Sequence, residues 1–186
     1  MKPGNDDNSD LIARLREPST VRAAFAEVIE AYSEQLYWQI RRMVQNHDDA
    51  NDILQNTFLK AWSNIENFRG EAKLSTWLHK IAINESLSFL EKEKRHAGVS
   101  LDDDEAFSTA ATLEADSDFD GNRLAENLNR AIQTLPEKQR LVFNMKYFDN
   151  MKYERISEIL GTSVGALKAS YHLAVKKIEQ FFHNLD

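Results

Sequence analysis

The chain has 186 residues, room for one medium domain or two small ones, and contains no cysteine, which excludes a disulfide framework and a thiolate metal site and fits a reducing cytoplasm. Six glycines, three prolines and no long apolar–polar alternation point to helices throughout. The net charge of −7 has the wrong sign for a nucleic-acid binder, but eight carboxylates (Asp102, Asp103, Asp104, Glu105, Glu114, Asp116, Asp118 and Asp120) crowd residues 101–121 without a Lys or Arg, and the rest of the chain sums to +1.

In chain order, residues 1–18 read as a flexible leader, polar and carrying Asp6, Asp7 and Asp10, and so unlike a secretory signal. No apolar run approaches the roughly 20 residues that cross a bilayer. From Ser19 or Thr20, a candidate N-cap, apolar positions recur at helical spacing through Phe25, Val28, Ile29, Tyr32, Leu36, Ile40 and Met43. The pattern breaks at Asn46-His47-Asp48-Asp49. A second helix is expected from Asp49 to Ile65, with Ala50, Ile53, Leu54, Thr57, Phe58, Ala61, Trp62 and Ile65 as its buried stripe. Asn67 to Lys73, with Gly70, reads as a loop. A third helix, capped by Ser75 or Thr76, runs to about Arg95. Gly98 to Gly121 is acidic, rich in Ser, Thr and Ala, and reads as a linker that need not fold.

A second domain begins near Asn122, with Leu124, Leu128, Ala131 and Leu135 on one stripe. Pro136 suits the first turn of the next helix, and Asp149-Asn150 a turn. The fold class expected is therefore all-α: two small helical domains joined by an acidic flexible linker, with a leader at 1–21, domains at 22–97 and 122–186, and the linker at 98–121.

Tyr153 to His172 reads as a helix-turn-helix. Ile156, Ile159 and Leu160 mark a short helix, Gly161 suits a left-handed terminus, and Ser163 caps a new helix pinned to the first by Val164 and Leu167. Ser157 lets the pair approach closely. In such a motif the second helix enters the major groove with its N-terminal residues at base edges. Gly165, Lys168, Ala169 and His172 point away from the core. Lys168 can reach a guanine edge or a phosphate, with Ser170, His172 and Lys176 as further polar contacts. An ordinary helical hairpin with a solvated face is the alternative.

Three segments carry a family resemblance: His47-Asp-Asp-Ala-Asn-Asp-Ile-Leu-Gln-Asn-Thr-Phe-Leu-Lys-Ala-Trp62; Asn67-Phe-Arg-Gly-Glu-Ala-Lys-Leu-Ser-Thr-Trp-Leu-His-Lys-Ile-Ala-Ile-Asn84; and Leu135-Pro-Glu-Lys-Gln-Arg-Leu-Val-Phe143 running into the helix-turn-helix. In order and with this linker, they resemble the extracytoplasmic-function (ECF, group 4) sigma factors of the sigma-70 family, over about residues 22–96 and 122–183. The resemblance implies a promoter-recognition subunit of bacterial RNA polymerase that is not an enzyme and works in the cytoplasm without cofactor, metal or small-molecule substrate. The implied partners are core polymerase, through its beta-prime and beta subunits, and promoter DNA. An anti-sigma factor is a further partner to look for.

On the resemblance, Asp49, Asp52, Gln55, Asn56 and Leu59 form the polymerase-binding face; composition alone allows a merely solvated one. Phe68, Arg69, Lys73, Ser75, Lys80 and Asn84 are the implied contacts to the melted downstream (−10) element. Phe68 and Trp77 also suit the core, and Asn84 also suits a cap. Ser163, Gly165, Lys168, Ser170, His172 and Lys176 are the implied contacts to the upstream (−35) element. Ser170, Leu173 and Val175 stand where the family commonly carries arginines, which implies an atypical promoter or a weak intrinsic DNA grip. The linker carboxylates read equally as a solubilising tether or as a stand-in for nucleic acid in a basic polymerase channel. Two other readings compete. A stand-alone helix-turn-helix regulator would bind DNA without polymerase, and an enzyme would need a Gly-rich phosphate loop or ligand spacing that His47, His79, His96, His172 and His183 lack.

Overall fold

The structure is a computed structural model that describes residues 9–68, 70, 72–96 and 120–185. The described residues form eight α-helices and one 3-10 turn, with no strand among them. The chain divides into two compact units between Leu90 and Glu91.

The front unit holds α1 (Ser9–Arg16), α2 (Val21–Val44), α3 (His47–Ser63), a 3-10 turn (Ile65–Asn67) and α4, which begins at Leu74 and runs to His96. Part of the expected leader is therefore helical, and Leu15 of α1 is buried in the core. The amphipathic spacing Leu11, Ile12, Leu15 supplies a helical face that eight residues of polar sequence disguise. Thr20 holds the N-cap position of α2 without a side-chain cap bond. Its hydroxyl instead donates back to the Arg14 carbonyl at 2.8 Å, closing the end of α1.

α2 ends where Gln45 turns left-handed, at φ 64°. Asn46 then caps α3: its side-chain oxygen accepts from the backbone N–H groups of Asp48 at 2.8 Å and Asp49 at 3.3 Å. The helix accordingly starts two residues before the expected Asp49, with both carboxylates in its first turn, where the helix dipole favours them. Asn51 donates to His47 Nε2 at 3.0 Å, which leaves Nδ1 to donate to the Tyr37 hydroxyl oxygen at 2.7 Å. Ser75 and Thr76 lie inside the first turn of α4 and are not its cap.

The core of this unit joins Phe25, Val28, Leu36 and Ile40 of α2 to Ala50, Ile53, Phe58 and Ala61 of α3 and Leu78 and Ala82 of α4, as the spacing predicts, but Ile29, at the edge of the α2 stripe, is exposed. Each such large side chain stabilises the fold by about 1.5–3 kcal/mol. One polar pair crosses this core. His79 Nδ1 donates to Gln39 Oε1 at 2.6 Å, joining α4 to α2, and both residues are buried.

The rear unit holds α5 (Asp120–Gln133), α6 (Glu137–Tyr147), α7 (Tyr153–Leu160) and α8 (Val164–His183). α5 starts at Asp120, inside the stretch read as linker; residues 98–119 of that stretch lie outside the described residues. Ala131, Ile132 and Leu135 meet Phe143, Ala174 and Ile178 in its core. Leu124 is exposed rather than part of that stripe, whereas Leu128, one turn later, packs against the core. Pro136 sits at the N-cap of α6, one residue earlier than expected, with ψ 143°. Asn150 takes a left-handed φ of 49° in the turn before α7.

Candidate DNA- and protein-docking surfaces

The rear unit presents the helix-turn-helix. Gly161 ends α7 at φ 65°, and its N–H donates to the Ser157 carbonyl at 2.8 Å. Ser163 follows in extended conformation and its hydroxyl oxygen accepts from the Ala166 N–H at 3.3 Å, which starts α8. Leu167 is fully buried and Val164 half-buried, so the first turns of α8 are fixed against α7. That rotation leaves Gly165, Lys168, Ala169, His172 and Lys176 exposed on one face, with Ser170 half-buried at its edge. Nothing lies within 4 Å of where a Gly165 Cβ would stand.

Sequence reasoning missed what stands beside this face. Lys146 Nζ and Lys168 Nζ lie 5.2 and 5.8 Å from the centroid of the Tyr153 ring, in cation–π range. Lys146 also donates to the Met151 carbonyl at 3.2 Å. Desolvation, with Tyr171 adding to it, raises the Tyr153 pKa above the ordinary phenol value, so the hydroxyl stays a proton donor. Tyr153 and Lys146 come from different helices, and no local spacing announces their meeting with Lys168.

The front unit carries two surfaces. On α3, Asp52, Gln55, Asn56 and Leu59 are exposed opposite the core stripe, while Asp49 is half-buried at its edge. Leu59 is 57% exposed, a large apolar side chain in a polar field. Trp62, expected in the core, is 38% exposed. It meets Phe25 edge-on at 5.0 Å and, seven residues from Gln55, prolongs the same stripe.

The second surface is a cleft of about 440 Å³ lined by Lys60, Asn64, Asn67, Trp77, Ile81, Asn84, Glu85 and Ser88. Trp77, Ile81, Asn84 and Ser88 recur at helical spacing on α4, so one face of that helix forms a wall. Lys60 pairs with Glu85 across the cleft at 2.5 Å. Phe68 is buried and its ring packs on Trp77 at 5.0 Å, tilted by 34°. Phe68 does not line the cleft, whose wall Trp77 supplies, and its burial is the core placement that its sequence also suits.

Of the other expected −10 residues, Asn84 lines the cleft, Lys73 and Lys80 are exposed, and Ser75 is half-buried in the first turn of α4. Arg69 lies outside the described residues. Lys60, Asn64, Asn67 and Ser88 were not singled out from sequence. Each is an ordinary surface residue until the 3-10 turn brings the end of α3 beside α4.

The description Sigma-70 region 2 matches residues 28–96, and Sigma-70, region 4 matches residues 125–178. The chain is 32% identical over 158 residues to the ECF RNA polymerase sigma factor SigW of Bacillus subtilis, covering 80% of this chain and 83% of that protein. The chain belongs to the ECF sigma factors of the sigma-70 family. It is also 28% identical over 163 residues to the ECF RNA polymerase sigma-E factor of Escherichia coli, covering 84% of this chain and 85% of that one.

Two solved structures resemble this sigma factor in fold. CnrH in complex with the cytosolic domain of CnrY has a TM-score of 0.69 at 18% identity, covering 97% of this chain and 99% of that one. The sigma factor RpoE in complex with the anti-sigma factor NepR from Bartonella quintana has a TM-score of 0.64 at 22% identity, covering 86% and 96%. In this sigma factor α2–α4 carry the region 2 match, with the α3 stripe and the cleft, and the helix-turn-helix lies within the region 4 match. Among its described residues no group of three or more His, Asp or Glu could hold a metal ion, and no helix is long and apolar enough to cross a membrane.

Proposed function

We propose that this sigma factor binds core RNA polymerase and directs promoter-specific initiation of transcription, with region 2 docking on the polymerase and opening the −10 element and region 4 reading the −35 element. The observation that carries the reading is one chain holding both matches in order, region 2 with an exposed Gln55–Leu59–Trp62 stripe and region 4 with a helix-turn-helix.

The division of labour follows the chemistry of each surface. Asp49, Asp52, Gln55, Asn56 and Leu59 form the polymerase-binding face, with Trp62 extending it. An exposed leucine and tryptophan gain apolar burial only against a partner. The cleft beside Trp77 takes a base extracted from the melted strand. Extraction costs a few kcal/mol, which stacking on Trp77 and hydrogen bonds from Asn84, Asn64, Asn67 and Ser88 offset. Lys73 and Lys80 attract the strand's phosphates. In region 4, Lys168 reaches a base edge or phosphate, and Ser163, Ser170, His172 and Lys176 add polar contacts. Gly165 allows the helix backbone close to the groove.

On this reading the working domains are 22–97, with α1 packed into it, and 122–186, with α5 starting two residues earlier at Asp120. The polymerase, not this chain, makes phosphodiester bonds, so the protein itself catalyses nothing, needs no cofactor, and acts in the cytoplasm. Anti-sigma control is part of the reading, supported by the two solved relatives, whose partners are the cytosolic domain of CnrY and the anti-sigma factor NepR. Run-off transcription with purified bacterial core polymerase on a promoter library tests it. Specific transcripts that depend on this protein are expected, and absence of any affinity for core polymerase would overturn it.

A further inference from the structure

The region 2 match begins at residue 28 and leaves α1 out, yet α1 is built into the front unit. Leu15 is 3% exposed, and Leu11 and Ile12 pack against the same core. The helix rests on α2 and on the 3-10 turn Ile65–Asn67, whose last residue lines the cleft. Its C-terminal end is fixed. Thr20 donates through its hydroxyl to the Arg14 carbonyl at 2.8 Å, and the N–H groups of Thr20 and Val21 donate to the Glu17 carbonyl at 3.0 and 2.9 Å. Arg14 makes a two-pronged bond to Glu27, at 2.8 and 2.5 Å.

This placement lays Ile12 and Arg16 over Gly70 in the connection from α3 to α4. A Cβ at Gly70 would stand 3.2 Å from Arg16 Nη2 and 3.8 Å from Ile12 Cγ2, and Gly70 has a left-handed φ of +73°. α1 thus touches the connection at two points: the turn that supplies Asn67 and the glycine beyond Phe68.

We propose that α1 is a positioning element for the base-capturing cleft: through Ile12 and Arg16 it holds the Gly70 turn, and with it the wall formed by Asn67 and the Phe68–Trp77 pair. The inference rests on the functional reading of the cleft. Arg16 is a positioning residue in it, acting through the turn rather than on DNA. The left-handed φ of Gly70 is what disfavours a side chain there, and the guanidinium adds only a tight fit, since Arg16 would have to yield by a few tenths of an ångström to a Cβ at 3.2 Å.

The test uses the full chain and two readouts. In the free protein, the N–H groups of Asn67 and Phe68 donate to the carbonyls of Asn64 and Ile65 at 3.0 and 3.1 Å, so their hydrogen exchange reports on the turn. In an Ile12→Ala/Arg16→Ala variant these two amides should exchange roughly five- to tenfold faster, while amides in the middle of α3 keep their rates. With core polymerase, permanganate reactivity of thymines in the −10 element should fall by a similar factor, with polymerase affinity within about twofold of wild type. Arg16→Lys should restore part of the loss. Gly70→Ala, which perturbs the contact from the other side, should give the same pattern. Unchanged exchange at Asn67 and Phe68 would overturn the proposal, as would faster exchange with undiminished promoter opening. If the wild-type protein opened no promoter, the reading of the cleft would fall, and the exchange rates alone would decide whether α1 holds the turn.

Discussion

Two glycines of the helix-turn-helix do opposite work, and substitution separates them. Gly161 has φ 65° and no atom within 4 Å of its missing Cβ, so only its backbone conformation demands glycine. Gly161→Ala should destabilise the protein by about 1 kcal/mol, seen as a lower urea midpoint with an unchanged slope. Gly165 also has open space where its Cβ would stand, but it lies within α8. Gly165→Ala should therefore raise stability, by about 0.5–1 kcal/mol at most, in the same experiment. On the proposed docking its cost should fall on use of −35-dependent promoters, where the added methyl group would meet the groove. A loss of stability at Gly165→Ala would show that the fold, not the DNA, requires the glycine. Beside them, Lys168→Ala should weaken DNA binding by the holoenzyme and, if its contact is to phosphate, lower the slope of log affinity against log salt by about one. The neighbouring Tyr153 and Lys146 should share that effect, since the ring holds both ammonium groups within 6 Å.

At the scale of the element, α3 divides cleanly into a buried stripe and an exposed one. A Gln55→Ala/Leu59→Ala variant removes side chains that touch solvent, so thermal stability should be nearly unchanged while affinity for core polymerase falls by roughly tenfold or more. A matching drop in melting temperature would place these residues in the fold instead. The sequence made the stripes of α2 and α3 legible because helical periodicity is a local signal. The start of α3 was misplaced by two residues because the Asn46 cap competes with the polar look of His47-Asp48. α1 went unread because eight residues offer barely two turns, and such a helix is held by tertiary contacts, here Leu15 and the Arg14–Glu27 pair, rather than by propensity. The cleft was half legible: Asn84 came from the family pattern, but Lys60, Asn64 and Asn67 gain a common surface only when the 3-10 turn folds. Trp62 looked like core because periodicity cannot tell an edge position from a buried one.

For the molecule as a whole, charge is the governing quantity. Outside residues 101–121 the chain is nearly neutral, so the free protein releases few counterions on DNA and should bind promoters weakly and without steep salt dependence. On the proposed function the polymerase would supply the missing attraction. Replacing the eight carboxylates of residues 101–121 by their amides should then change abortive-to-productive transcript ratios if they stand in for nucleic acid in a basic channel; unaltered initiation and escape would reduce them to a solubilising tether. The buried Gln39–His79 bond has a different reach. Removing His79 would leave the Gln39 amide with neither polar atom bonded, since its Nε2 already has no partner, and an orphaned buried group costs about 1–3 kcal/mol. Exchanging both residues for hydrocarbon side chains of matching bulk would avoid that penalty. Two codons forty positions apart are therefore expected to be coupled in descent: a single change should lower the melting temperature more than the paired hydrocarbon exchange does.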